Sequence, residues 1–403
     1  MARDSDLGSD SLKVLSSGKV VGVEELDAVI HAYVDWMSGS SAGHITADFG
    51  RLVASYIGVK YGIPCNSGSS ANLLACMAVL DKGDEVITTA LNFPTTLAPI
   101  IQAGAIPVFI DVELDGFVPT YESVLAAITK KTRAVVLAHT LGYPFPAAKL
   151  RKLCDQRNII LIEDNCDALG TQIGSKKTGS FGHISTLSFY AAHHITTGEG
   201  GMVLTDDLSL YRKVLSLRDW GRSCWCEPGQ ENACGRRFDG EYDHKYTYSL
   251  LGYNLKLHDI LSAIGVEQMK KIDKFIGTRR ANHVHLATRA HEIGLDKWFV
   301  LPKARINDPI SWFGFAMVCK TGIDRMNMQR WLDKKGVGTR VIFGGNMLRQ
   351  PACKSIQYRL AEELKNTDII HERGLWIGCW PGLDETHLNY ALDMIYEYVT
   401  REA

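Results

Sequence analysis

Ser188-Phe189-Tyr190-Ala191-Ala192-His193-His194-Ile195-Thr196-Thr197-Gly198-Glu199-Gly200-Gly201 joins two apolar runs, 185–190 and 202–205, that read as strands. From about residue 50 to 205, short runs rich in Val and Ile alternate with longer segments of helical spacing. The strand-like runs are 85–89, 106–111, 133–139 and 159–164, besides the two that flank the quoted stretch. Helical spacing occupies 69–80, 96–103, 121–128 and 147–156. Such alternation predicts an α/β fold with a mostly parallel sheet joined by crossover helices. Strands that are apolar throughout are covered on both faces, and ligands gather outside their carboxyl ends.

Beyond 205 the rhythm changes. Residues 206–250 read as an irregular excursion, with Cys, Gly, Pro and charged residues crowded into 219–240. A long helical stretch then leads out over 257–279, and 280–403 mixes strands such as 312–319 with helices such as 326–335 and 388–398. The expected organisation is a large domain over 1–279 and a smaller C-terminal α+β domain over 280–403. A chain of 403 residues, 46% hydrophobic and 22% charged, is long enough for a large core and for two or three domain-sized units. With 44 basic and 45 acidic residues, the net charge of −1 gives the molecule no overall attraction to nucleic acid or to an anionic membrane. The first thirty residues hold no apolar signal core, and no segment reaches the roughly 18 apolar residues of a membrane span. The cytoplasm is the expected compartment.

Several residues carry chemistry. Ser67-Gly68-Ser69-Ser70-Ala71-Asn72 stands between a strand-like segment and a helix. There it serves as an ordinary helix cap, or its N–H groups and hydroxyls cradle a phosphate. Asp164 ends an apolar strand, where it caps the next turn or holds a protonated ring nitrogen. His193 offers an imidazole able to move a proton near neutral pH. Arg340 suits a bidentate contact to a diphosphate and equally a structural ion pair, and 242–248 reads as an ordered surface loop.

Ten cysteines are many for a reducing compartment. Cys65, Cys76, Cys154, Cys319, Cys353 and Cys379 lie singly in apolar surroundings and read as small buried hydrophobes. Cys166, Cys224, Cys226 and Cys234 form a different set, separated by 57, 1 and 7 residues. Four thiolates suit a 2Fe-2S cluster or a structural zinc, and cysteine type alone favours zinc, although one intervening residue between Cys224 and Cys226 is short for it. Two residues of chain span at most about 7 Å, so Cys166 stays close to Asp164.

The quoted stretch, the Ser67–Asn72 segment, Asp164 and the cysteine spacing together resemble the iron-sulfur subgroup of the pyridoxamine-phosphate-dependent sugar 3-dehydrases, a branch of the DegT/DnrJ/EryC1/StrS aminotransferase family. The resemblance covers nearly the whole chain and implies the type I B6-enzyme (aspartate aminotransferase-like) fold. It implies that His193 stands where the aminotransferases carry their covalent lysine, so that pyridoxamine 5'-phosphate (PMP, with PLP as its aldehyde form) is bound noncovalently and His193 is the catalytic base. Gly68, Ser69 and Ser188 are then expected on the cofactor phosphate, Phe93 on its ring and Asp164 on its pyridine nitrogen. Asn254 is expected across a homodimer interface. Cys166, Cys224, Cys226 and Cys234 are expected to bind a 2Fe-2S cluster fed by a flavin or ferredoxin-type reductase. The implied reaction is C3 deoxygenation of an NDP-4-keto-6-deoxysugar. Two alternatives remain at this point: a cluster-free dehydrase that regenerates its cofactor from glutamate, and a non-catalytic binding protein with a structural zinc.

Overall fold

The apolar runs of the first half assemble into one eight-stranded sheet. The computed structural model describes residues 12–39, 43–226, 232–240, 242–302 and 309–401. The first eleven residues and 227–231 of the expected excursion lie outside them. Helices α1 (Val23–Met37) and α2 (His44–Ile57) precede β1 (Tyr61–Cys65). There follow α3 (Gly68–Val79), β2 (Glu85–Thr89), α4 (Pro94–Gln102), β3 (Ile106–Ile110), α5 (Tyr121–Ala127) and β4 (Thr132–Ala138). Next come α6 (Ala147–Arg157), β5 (Ile160–Asp164), a hairpin of β6 (Gln172–Ile173) and β7 (Lys176–Lys177), β8 (Ile184–Ser188) and β9 (Gly201–Thr205). The order is β1-β9-β8-β5-β4-β2-β3-β13, β13 being Arg359–Leu360. Pairs from β13 through β8 are parallel, while β8/β9 and β9/β1 are antiparallel.

Alternation along β4 explains why the sheet has two covered faces. Val135 and Leu137 enter one apolar cluster with Leu286 and Phe315, whereas Ala134 and Val136 enter another with Leu74 and Ala75. Successive side chains of a strand point to opposite faces, so a run apolar at every position is stable only between two layers. Each such aliphatic side chain contributes on the order of 2 kcal/mol on burial.

After β9, α7 (Leu208–Arg218) begins where the Asp207 carboxylate accepts from the N–H groups of Ser209 and Leu210, a helix inside the region expected to be irregular. The long helix α8 (Asp259–Glu292) continues past residue 279. A four-stranded antiparallel sheet of β10 (Phe299–Val300), β11 (Gly314–Cys319), β14 (Gly374–Gly378) and β12 (Thr339–Arg340) follows, with α9 (Arg325–Lys334), α10 (Lys365–Arg373) and α11 (Glu385–Arg401). Strand β13 leaves this region and pairs with β3 of the large sheet. The six singly placed cysteines are all buried, as apolar surroundings require. Among the described residues, no helix is long and apolar enough to cross a membrane.

Candidate active site

The turn between β8 and β9 presents the quoted stretch at the carboxyl end of β5. Phe189 N–H donates to the Gly200 carbonyl and Thr197 N–H to the Phe189 carbonyl, closing the loop at its base. His193 N–H donates to the Tyr190 carbonyl. The two histidines diverge. His194 is buried with Nε2 3.1 Å from the Ser311 carbonyl, while His193 Nδ1 faces Asp167 Oδ1 at 3.7 Å. That distance exceeds a hydrogen bond, and the buried Nδ1 has no hydrogen-bond partner. Burial holds the His193 imidazole down to about 4, against the opposing pull of Asp164. Burial, then the charge of Asp164, pushes the Asp167 carboxyl up to about 7. His193 is therefore neutral at pH 7 and able to accept a proton.

Asp164 is buried and held by three donors. Its Oδ2 accepts from Asn72 Nδ2 at 2.8 Å and Thr96 Oγ1 at 2.6 Å, and Oδ1 accepts from Cys166 N–H at 3.2 Å. Asn72 is fixed in turn by Thr186 Oγ1, which donates to its Oδ1 at 2.6 Å. Neither Asn72 nor Thr96 was assigned a role from sequence, although Asn72 lies one helical turn beyond Gly68.

The phosphate segment starts α3. Ser67 caps it, with Oγ accepting from Ser70 N–H at 3.1 Å, and Gly68 packs so closely on Ser188 that an added Cβ would lie 2.5 Å from the Ser188 Cβ. A Cβ on Gly201 would lie 2.2 Å from the Ser67 carbonyl oxygen, so β9 too approaches this helix start at backbone distance. Ser69 is exposed and its hydroxyl donates to Thr95 Oγ1 at 2.9 Å. Phe93 stands at the start of α4 with 49% of its surface exposed, unusual for a phenylalanine among neighbours such as Asn92 and Thr96 that are buried. The arrangement fits a phosphorylated aromatic cofactor: a helix start with close-packed glycine, an exposed ring and a buried, donor-bound carboxylate.

Asn254 is exposed, and its Oδ1 accepts from Lys256 Nζ. It lines a surface cavity with Trp36, Arg218 and His258, apart from the partners of Asp164. Arg340 is exposed and donates to the Thr339 carbonyl at 2.8 Å.

Three of the four cysteines lie close together on the excursion after α7. Cys224 Sγ, Cys234 Sγ and a ring nitrogen of His244 lie within 4.8 Å of one another. Cys226 Sγ adjoins them, accepting from Cys234 N–H at 3.3 Å. Cys166 follows β5, where its backbone N–H donates to Asp164 Oδ1. His244 had been read as part of a surface loop. Its only signal was a histidine ten residues beyond Cys234.

A profile of the DegT/DnrJ/EryC1/StrS aminotransferase family matches residues 23–395. The chain is 42% identical to lipopolysaccharide biosynthesis protein RfbH of Salmonella typhimurium, over 95% of this chain and 91% of that protein. It is 41% identical to the dTDP-4-dehydro-2,6-dideoxy-D-glucose 3-dehydratase of Saccharopolyspora spinosa, over 98% and 88% respectively. The structure of E. coli GDP-4-keto-6-deoxy-D-mannose-3-dehydratase with bound hydrated PLP superposes with a TM-score of 0.86 at 28% identity, over 96% of this chain and 100% of that one. The fold is thus the aminotransferase-like fold of PLP-dependent enzymes.

Proposed function

The chain belongs to the DegT/DnrJ/EryC1/StrS aminotransferase family, and from that premise we propose that it is a PMP-dependent sugar nucleotide 3-dehydratase acting on an NDP-4-keto-6-deoxyhexose. The observation that carries this reading is His193: a largely buried, neutral imidazole whose Nδ1 has no hydrogen-bond partner, at the position where a transaminating relative needs a lysine amine. The names of two relatives, both 3-dehydratases of 4-ketosugar nucleotides, point to the same substrate class.

Bound PMP supplies an electron sink that makes a carbon next to its nitrogen acidic enough to lose a proton. The residues of the chain do the rest. Gly68, Ser69 and Ser188 hold the phosphate at the start of α3. Phe93 covers one ring face, and Asp164, held in place by the Asn72 and Thr96 donors, holds the pyridine nitrogen. His193 removes the proton, and Asp167, 3.7 Å away, stabilises the imidazolium that results.

Net deoxygenation breaks the C3–O bond, releases water and needs two electrons and two protons. Cys166, Cys224, Cys226 and Cys234 would hold a 2Fe-2S centre, which would supply one-electron chemistry with a flavin or ferredoxin-type partner as its reductant. Thiolate donors and one-electron steps suit such a centre. A homodimer completes the proposal. On α1, Leu26, Ile30, Val34 and Met37 are half or more exposed, an apolar face that a second copy would cover, with Asn254 reaching the neighbouring site. The large and small domains expected at 1–279 and 280–403 remain part of this reading.

The test is anaerobically purified protein incubated with PMP, a reductase and CDP-, TDP- and GDP-4-ketosugars, followed by product mass. A product lighter by one oxygen, lost in His193→Asn while PMP binding persists, is expected. Retained turnover in that variant refutes the base. Full activity with glutamate and no reductant refutes the electron route.

A further inference from the structure

The turn that bears His193 is held from behind by the long helix α8, through two buried polar side chains that the chemistry above does not use. We propose that Arg279 and Gln268 are positioning residues for His193, gripping the backbone of its turn at the His193 carbonyl and at the Thr196 N–H. The proposal rests on the reading of His193 as the base and adds the groups that set where that base stands.

Arg279 is 1% exposed, one of the largest fully buried side chains. Its Nη2 donates to the His193 carbonyl at 3.4 Å, and its Nη1 to the carbonyls of Trp312 and Phe313 at 3.2 and 3.1 Å. Burying a cation is costly unless polar partners replace its hydration, and here the partners are carbonyls of two separate segments. One of those segments carries Phe313, whose ring centroid lies 5.2 Å from that of His193. A single guanidinium thus holds both the backbone that bears the imidazole and the residue packed on its ring. Its planar fork suits several acceptors at once. Gln268, also 1% exposed, lies about three helical turns earlier on the same face of α8. Its Oε1 accepts from Thr196 N–H at 3.3 Å, while its Nε2 donates to the Val20 carbonyl at 2.9 Å and to Glu25 Oε1 at 2.7 Å. Glu25 is anchored in turn by Lys271 Nζ at 2.7 Å. The gap between the turn and these two side chains is about 10 Å³, close to the space of one water, so the turn has no room to settle elsewhere while both grips hold.

Full-length protein and its Arg279→Lys, Gln268→Met and His193→Asn variants, with each α8 substitution also combined with His193→Asn, test this. Arg279→Lys keeps the charge but not the fork, and Gln268→Met keeps the length but not the polar groups. PMP binding and thermal unfolding report an intact fold. Turnover of the CDP-, TDP- and GDP-4-ketosugar panel gives kcat and KM, and amide hydrogen exchange of the PMP-free protein reads the turn itself. Each α8 variant should lower kcat roughly 10- to 100-fold with KM and PMP affinity within about twofold of the unaltered protein, because a misplaced base costs turnover rather than binding. Exchange over 190–197 should quicken while that of β5 and β8 stays unchanged. In the His193→Asn background neither substitution should lower kcat further, since both changes act through one group. Unchanged kcat and exchange in folded, PMP-binding α8 variants overturns the proposal and leaves the base reading intact. An equal loss in both backgrounds also overturns it, because the effect then bypasses His193. Turnover retained in His193→Asn sinks the base reading and this proposal with it.

Discussion

Replacing Asp167 by Asn separates its support of His193 from every other function of the site. Their Oδ1 and Nδ1 atoms are 3.7 Å apart with both side chains largely buried. At an effective dielectric of about 20, a full carboxylate at this distance favours the imidazolium by about 4 kcal/mol. With its carboxyl pushed up to about 7, Asp167 is roughly half ionised at neutral pH, and an amide dipole retains part of the interaction. The expected loss in kcat at pH 8 is therefore roughly 10²- to 10³-fold. The pH dependence supplies a second signature: wild-type kcat rises through pH 7 as Asp167 ionises, and the variant lacks that rise. Stability should move the other way. A carboxyl raised from 3.8 to about 7 by folding contributes stability below 3.8 that is lost as pH rises through 7. Removing that ionisation stabilises the variant at pH 8 by up to about 4 kcal/mol. Anaerobic steady-state rates from pH 6 to 8.5, thermal unfolding and PMP titration measure all three. A variant within threefold of wild type, with the same rise through pH 7, would refute the role given to Asp167.

Gly68→Ala places a Cβ 2.5 Å from that of Ser188 and should weaken PMP binding by roughly tenfold, about 1.4 kcal/mol; unchanged affinity in an absorbance titration argues against the phosphate cradle. Asn72→Ala removes one of the Asp164 donors and leaves buried groups unpaired, at a cost of roughly 1–3 kcal/mol in unfolding free energy, which chemical denaturation reads directly. His283 is buried, stacks on Trp312 at 3.7 Å and is held down to about 3 by burial alone. Its neutral form contributes stability above pH 6.5 that falls away as the pH drops toward 3, about 2 kcal/mol by pH 5. His283→Phe should therefore narrow the difference in unfolding free energy between pH 8 and pH 5 by that amount, and an unchanged difference refutes the buried-neutral assignment.

Much of the large sheet was legible because its signal is local. The runs at 106–111 and 159–164 are apolar up to their acidic ends, and that pattern survives without knowledge of any neighbour. The same reading missed α7, whose apolar residues are interspersed with Ser, Arg and Lys and which is held as a helix by the Asp207 cap and by packing of Val214 and Leu215 in the core. It also stopped α8 at residue 279, whereas Leu286, Ala287 and Ala290 continue the buried face against β11.

Residue types and spacing by themselves determined the candidate chemistry: an imidazole at 193, a carboxylate at the end of β5, a small-residue helix start at 67–72 and a concentration of thiols beyond α7. Tertiary structure decided which of these meet. It brought Asp167 to His193, Asn72 and Thr96 to Asp164, and His244 to Cys224 and Cys234, each across a different length of chain. Spacing restricts only how far apart two residues can lie. Which donor fills a site depends on loop closure and competing hydrogen bonds, and those exist only once the sheet has fixed the ends of its loops.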